Sequence, residues 1–213
     1  MRLYLSSFKI GNKPEELVRM AGPNKHVAVI SNAIDFRVEP ERRDRVQKEF
    51  ADLVALGFIP EEIDLRKFFG KKDELAQTLK KFGLVWVRGG NVFILQRAAE
   101  ESGFDLVIQD MLKDDLLVYG GYSAGILLLT PTLHGLELVD DSNVIPLGYH
   151  APFKWEGLNL VGYSIAPHYK SEHPESEKIE DVIKYFKDKN LFYKTLKDGE
   201  VIVIEGNNEK ILS

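Results

Sequence analysis

Residues 116–129 read LLVYGGYSAGILLL, two apolar runs separated by a glycine pair and a single serine, Ser123. A chain has two reasons to place one hydroxyl among small residues in this way. Either the small residues form a turn that lets a strand pack tightly on a helix, or the turn presents Ser123 as a nucleophile. The surrounding sequence has to decide between them.

Gly121, Ser123 and Gly125 match the pattern G-x-S-x-G. The apolar run Leu116–Tyr119 predicts a buried strand before this motif, and the apolar residues after it predict a helix. In a nucleophile elbow, a sharp strand-to-helix turn lifts the serine oxygen above the sheet, and the helix directs its free N–H groups at the same point. The strand–turn–helix context therefore favours Ser123 as a nucleophile over a turn that serves packing alone.

A second glycine pair, Gly89 and Gly90, follows the predicted strand Leu84–Val87. Ligands bind at the carboxyl ends of parallel strands, where a glycine pair exposes backbone amides. The N–H groups of Gly90 and Ala124 are therefore candidates for an oxyanion hole, although the same residues also fit a plain tight turn capped by Asn91. A dinucleotide-binding fingerprint is not predicted, because GGNVFI lacks the third glycine.

His168 is the best candidate for a general base, because SIAPHY ends a predicted buried strand at the same edge of the sheet. His26 begins a strand at the opposite edge, and His134 and His150 lie in a long loop. His168 and His173 are five residues apart, which does not match helical metal spacing, so no metal is expected. No cofactor is expected either.

The residue that orients the base is expected between the nucleophile and the histidine, in the chain order Ser…acid…His. Glu137, Asp140 and Asp141 lie in that interval. Glu137, within HGLEL, is the preferred candidate of the three.

The element pattern predicts an α/β fold, because short apolar runs alternate with amphipathic stretches along the chain. Alternating strands and helices imply a parallel sheet covered on both faces. Strands are predicted at Glu62–Leu65 and Leu158–Ala166, among others, and residues 131–157 form a long irregular section rich in proline and glycine. No repeat or linker is visible, so residues 1–213 are expected to form one domain.

Composition excludes several classes of function. The chain has 213 residues, a net charge of −5 and no cysteine. The absence of cysteine removes thiolate metal sites and cysteine nucleophiles, and it is compatible with a cytoplasmic protein. No basic run predicts nucleic-acid binding, no apolar stretch approaches a membrane span, and the N-terminal apolar stretch is too short for a signal peptide.

Three motifs in this order, RGGNVF, GGYSAG and APHY, resemble those of peptidase E, the S51 family of serine peptidases that also holds cyanophycinases. The resemblance implies a three-layer parallel-sheet sandwich similar to class I glutamine amidotransferase domains. It also implies Ser123 as the nucleophile, His168 as the base, and the Gly90 and Ala124 amides as oxyanion donors. A small peptide is then the expected partner of a monomer or homodimer. The amidotransferases carry cysteine where this chain has serine.

Members of this family cleave dipeptides with N-terminal aspartate, and carry an arginine and then an aspartate after the nucleophile helix. This chain has His134 near the arginine position, and Glu137 and Leu138 near the aspartate position. Substrate-binding residues are expected at Asn91, His134, Arg88 and Tyr169. A carboxylesterase, and a ligand-binding protein that keeps the turn without catalysis, remain alternatives.

Overall fold

The computed structural model describes all residues from Met1 to Ser213. It contains nine strands, which are β1 Arg2–Ser6, β2 His26–Ile30, β3 Ile59–Glu62, β4 Leu84–Val87, β5 Val118–Tyr122, β6 Ser164–Ala166, β7 Tyr193–Thr195, β8 Val201–Glu205 and β9 Asn208–Leu212. It contains seven α-helices, which are α1 Pro14–Ala21, α2 Glu41–Val54, α3 Lys72–Leu79, α4 Val92–Ser102, α5 Phe104–Lys113, α6 Ala124–Leu127 and α7 Ser176–Asp188.

Seven strands form the central sheet in the order β3-β2-β4-β5-β1-β8-β9. The first five are parallel, whereas β8 runs antiparallel to β1 and β9 runs antiparallel to β8. The predicted parallel sheet is confirmed in this parallel-dominated form. Strand β1 therefore lies between β5, which precedes Ser123, and β8, which follows the Asp198 turn.

Helices cover both faces of the sheet, which gives the three layers expected. Leu17 of α1 and Leu53 of α2 pack with Trp86 in a smaller cluster of 14 buried residues on one face. Helices α3, α4, α5 and α7 contribute to a cluster of 45 buried residues on the other face. None of the helices is long and apolar enough to cross a lipid bilayer.

Two strands differ from the sequence prediction. Strand β3 lies three residues earlier than expected, at the edge of the sheet, where a strand tolerates a proline such as Pro60. None of its four residues is buried, so its sequence carries only a weak strand pattern. Strand β6 is limited to Ser164–Ala166 and pairs with β7 in a separate two-stranded sheet. The preceding residues bind the chain after α6 instead, since the N–H groups of Leu158 and Leu160 donate to backbone carbonyls there.

Candidate active site

Ser123 occupies the turn between β5 and α6 with φ 50° and ψ −122°. A positive φ is unusual for a non-glycine residue and occurs where the surrounding structure enforces it. The crowding explains the flanking glycines: a Cβ at Gly121 would lie 2.5 Å from the Val87 carbonyl oxygen, and one at Gly125 would lie 2.1 Å from it. The strand–turn–helix geometry predicted from G-x-S-x-G is therefore present.

The Gly89–Gly90 turn lies directly against Ser123. A Cβ at Gly89 would come within 2.9 Å of the Ser123 Cβ, and Gly90 has φ 152° with only 2.4 Å between an added Cβ and the Ala33 carbonyl oxygen. The Gly90 N–H donates to no protein acceptor. Ala124 is the first residue of α6, so its N–H has no intrahelical partner. Both amides are thus free to bind a ligand atom.

Asn91 caps the N-terminus of α4, as predicted for a tight turn between β4 and this helix. Its side-chain oxygen accepts from the N–H groups of Phe93 and Ile94 at 2.9 and 3.1 Å, and its amide donates to the Asp141 carbonyl oxygen at 2.9 Å. The cap fixes the start of α4 and ties it to the loop that carries Asp140 and Asp141.

His168 is 1% exposed and lies just after β6. Its Nδ1 is 2.7 Å from Asp198 Oδ1, and its backbone N–H donates to Ser7 Oγ at 2.8 Å. Ser7 Oγ also lies 2.9 Å from Asp198 Oδ1, so one hydroxyl holds both residues. His168 Nε2 is buried and has no hydrogen-bond partner. This arrangement places the Nδ1 proton towards Asp198 and leaves the Nε2 lone pair free.

Burial lowers the pKa of His168, and the neighbouring His173 lowers it further, whereas Asp198 raises it. The two imidazole rings stack at 3.7 Å with 10° between their planes, and Phe8 packs edge-on against both. The imidazole is therefore kept neutral at neutral pH and is fixed in orientation on both sides.

The structure corrects the prediction that Glu137 orients His168, because the carboxylate at Nδ1 belongs to Asp198. Glu137 is exposed and accepts the Gly135 N–H. Asp140 accepts the Val92 N–H at 2.8 Å, and Asp141 accepts the Asn143 N–H at 2.9 Å. The sequence reasoning missed Asp198 because it searched only between the serine and the histidine; the signal was an aspartate in the turn before the buried strand β8.

Asp140 is a second unusual carboxyl group at the site. Burial raises its pKa to about 7, opposed by the hydrogen bond from Val92 N–H and reinforced by the charge of Glu175. Asp140 therefore changes charge near neutral pH.

Ser123 and His168 line one cavity of about 370 Å³, although no hydrogen bond joins them. Catalytic hydrogen bonds are often long before substrate binds, so the gap does not count against the pair. Arg37 and Arg88 supply positive charge to the wall, whereas Asp140, Asp141 and Glu175 supply negative charge. A cavity of this size and mixed charge suits a small dipolar ligand.

Two of the four predicted substrate-binding residues, Asn91 and Arg88, line this cavity. Arg88 is buried with its Nε 3.4 Å from Glu49 Oε2. The other two residues do not line this cavity. His134 lies outside the cavity lining and stacks on Trp155 at 4.4 Å, and Tyr169 packs against the main core.

Residues 14–212 match peptidase family S51. The "Uncharacterized peptidase Lmo0363" of Listeria monocytogenes is 28% identical over 155 residues, which cover 72% of this chain and 71% of that protein. The "Probable alpha-aspartyl dipeptidase" of Drosophila melanogaster is 28% identical over 66% of this chain and 58% of its own length. "Peptidase E" of Salmonella typhi is 33% identical over 61% of this chain and 52% of its own length.

Solved structures show the same fold. A crystal structure of a "Putative Peptidase E Protein" from Listeria monocytogenes EGD-e has a TM-score of 0.80 at 22% identity, covering 99% of this chain and 97% of that one. A peptidase from an acI-B1 Actinobacterium has a TM-score of 0.70 at 14% identity, covering 99% of this chain and 86% of that one. With the family match extending over nearly the whole chain, this protein belongs to peptidase family S51 and is a peptidase.

Proposed function

We propose that the protein is a serine peptidase of short peptides, with Ser123 as nucleophile, His168 as general base and Asp198 as the acid that orients the base. The observation that carries the proposal is the state of His168. Its Nδ1 is bound to Asp198, its Nε2 is buried without a partner, and it lines the same cavity as Ser123. A base in this state lacks only a proton donor at Nε2.

In the proposed acylation step, Ser123 Oγ attacks the scissile carbonyl carbon and its proton passes to His168 Nε2. The carbon–nitrogen bond then breaks, and the leaving amine takes that proton from Nε2. Water repeats the sequence on the acyl-enzyme, releasing the acid product and restoring Ser123. Asp198 stabilises the imidazolium that forms in each step.

The proposed oxyanion donors are the N–H groups of Gly90, in the turn packed against Ser123, and of Ala124, the next residue after Ser123; neither has a protein acceptor. A single donor of this kind contributes about 3 kcal/mol of transition-state stabilisation, or 10²- to 10³-fold in rate.

Hydrolysis of a panel of dipeptides by the purified chain tests the proposal. Ser123→Ala is expected to lower kcat about 10⁴-fold, whereas Ser142→Ala, at a serine that does not line the cavity, leaves it unchanged. Wild-type turnover by Ser123→Ala would remove the serine mechanism. A protein that hydrolyses esters but no peptide would favour the carboxylesterase alternative.

We further propose that the substrate carries an acidic N-terminal residue, because Arg37 lines the cavity and its side chain is 38% exposed. Arg37 Nε is buried without a partner, while one of its terminal nitrogens lies 3.3 Å from Glu41. A guanidinium placed in this way recognises a carboxylate. The name of the Drosophila relative agrees with such a preference, and His134, outside the cavity, is not needed for it.

The ratio of kcat/KM for Asp-Leu to that for Ala-Leu measures this preference. Arg37→Gln is expected to lower the ratio at least tenfold by removing the charge. Arg43→Gln, an exposed arginine of α2 outside the cavity, serves as the control and keeps the ratio. An unchanged ratio in Arg37→Gln would assign the specificity to another group.

A cytoplasmic location, and a monomeric or homodimeric state, stay predictions.

A further inference from the structure

Three side chains of the cavity lining bring potential metal-ligand atoms together: His168, His173 and Glu175, whose ligand atoms all lie within 4.8 Å of one another. We propose that they form an inhibitory site for a divalent transition ion such as Zn²⁺, which blocks the peptidase by occupying Nε2 of the base. The inhibitory part of this proposal rests on the proposed function of His168; the binding part does not.

The first ligand is already in the required state. Zinc binds the neutral imidazole, and metal-bound histidines usually donate their other ring N–H to a carboxylate, which fixes the tautomer. His168 has this arrangement, with Nδ1 at 2.7 Å from Asp198 and a buried, unpartnered Nε2. The feature that makes His168 a base thus also makes it a metal ligand.

The other two ligands lie close to the distances that zinc requires. Glu175 Oε2 is 3.9 Å from His168 Nε2 and 4.0 Å from His173 Nδ1. His173 Nδ1 also accepts the Glu175 N–H at 3.2 Å, a hydrogen bond that this nitrogen has to give up when it binds an ion. Ligands at the usual Zn–N distance of about 2.1 Å lie about 3.4 Å apart in a tetrahedral site, so each of the two Glu175 separations has to shorten by about half an ångström. The Glu175 side chain is 38% exposed, and it can make this movement without disturbing the core.

His173 has to tilt as well. Imidazole lone pairs lie in the ring plane, so one ion cannot be coplanar with two rings that stack in parallel at 3.7 Å. The His173 side chain is 19% exposed, whereas His168 is 1% exposed and held on Asp198. Binding therefore moves His173 out of the stack and leaves His168 in place.

The ligand set selects the class of ion. Two imidazoles and one carboxylate favour zinc and related transition ions over Mg²⁺ and Ca²⁺, which prefer oxygen ligands. Three protein ligands leave a fourth position for water on the side of the cavity. Because the ion uses the lone pair that would accept the Ser123 proton, metal binding and acylation exclude each other.

Isothermal titration of the EDTA-treated, full-length protein with ZnCl₂ tests the binding directly. We expect one ion per chain, with Ser123→Ala retaining the wild-type affinity because Ser123 is not a ligand. His173→Ala and the isosteric Glu175→Gln are each expected to weaken affinity at least tenfold. His150→Ala, which removes a histidine paired with Glu101 on another surface, is the matched control and leaves affinity unchanged.

Two further readouts complete the test. Co²⁺ in place of Zn²⁺ is expected to give the visible absorption of a tetrahedral site, and dipeptide hydrolysis is expected to fall with the same midpoint as zinc binding and to return with EDTA. Each variant is compared with its own metal-free rate, and its fold is checked by circular dichroism. No zinc heat, or zinc heat lost in His150→Ala but kept in His173→Ala, would overturn the site.

The two proposals fail separately. If the protein binds zinc but Ser123→Ala leaves hydrolysis unchanged, the metal site stands and the serine mechanism is removed. If hydrolysis depends on Ser123 but zinc does not inhibit it, the serine mechanism stands and the inhibitory role of the site is removed.

Discussion

His168 and Ser123 reach the cavity from backbone conformations with φ 58° and φ 50°. A non-glycine residue in such a conformation costs on the order of 1–3 kcal/mol. Two strained residues on one cavity persist because their surroundings hold them: Ser7 accepts the His168 N–H, and Gly121 and Gly125 let the Ser123 turn pack on Val87. At the residue scale, the site depends on these small and hydroxylated neighbours as much as on the reacting groups.

Asp198→Asn is expected to lower kcat by about 10⁴-fold with little change in KM, because the amide holds the imidazole in the wrong tautomer and does not stabilise the imidazolium. Steady-state hydrolysis of a dipeptide checks this. Glu137→Gln changes an exposed carboxylate that lies away from His168, and its kcat is expected to stay near the wild-type value. A larger loss in Glu137→Gln than in Asp198→Asn would return the orienting role to Glu137.

The pH dependence of kcat/KM reports the base. Because burial and His173 lower the pKa of His168, the ascending limb is expected below the ordinary histidine value of 6.5. The imidazole must be neutral to accept the Ser123 proton, so the rate falls as pH decreases through this pKa. The profile is measured with EDTA present. An ascending limb centred above pH 7 would contradict the assignment.

At the scale of elements, sequence reasoning succeeded where one local signal decides the structure. The motif G-x-S-x-G and the strand Leu84–Val87 were predicted at the residues where they occur. It failed at Asp198, because this aspartate follows the histidine in the chain and meets it through the pairing of β6 with β7, which continues where the Leu196 N–H donates to the Ala166 carbonyl oxygen. Two strands of three residues each leave only a weak pattern in the sequence, so the order Ser…His…Asp could not be distinguished from Ser…acid…His.

Gly125→Ala tests the crowding around the nucleophile turn. The added Cβ would lie 2.1 Å from the Val87 carbonyl oxygen, a backbone atom that cannot move aside, so we expect a loss of about 1–3 kcal/mol in the free energy of unfolding. Urea unfolding measures it. At Gly162 an added Cβ meets nothing within 4 Å, and Gly162→Ala is expected to change stability by less than about 0.5 kcal/mol. Equal stability of the two variants would show that the turn is not tightly packed.

At the scale of the whole molecule, the site is assembled from segments that are distant in the chain and adjacent in the sheet. Ser123 follows β5, Ser7 follows β1 and Asp198 precedes β8, and these three strands are neighbours in that order. His168 comes from outside the central sheet and is held on it through Ser7 and Asp198. The central sheet thus supplies the proposed nucleophile and the proposed orienting acid, and the β6–β7 unit supplies the proposed base.

Asp140 couples the stability of the whole molecule to pH. Its folded-state pKa of about 7 lies above the ordinary aspartate value of 3.8, so the native state binds more protons between these values, and stability from this group falls as pH rises from about 4 to 7. Asp140→Asn removes the charge and retains an acceptor for the Val92 N–H. The difference in Tm between Asp140→Asn and the wild type is expected to be more favourable to the variant at pH 8 than at pH 5. A Tm difference that is independent of pH would contradict the burial of this carboxyl group.

Covalent labelling by a fluorophosphonate, followed by mass spectrometry of the modified peptide, tests the serine mechanism most directly. The account predicts one label per chain, located on Ser123, absent in Ser123→Ala and formed far more slowly in His168→Ala. A label on another serine, or equal labelling of wild type and Ser123→Ala, would contradict it.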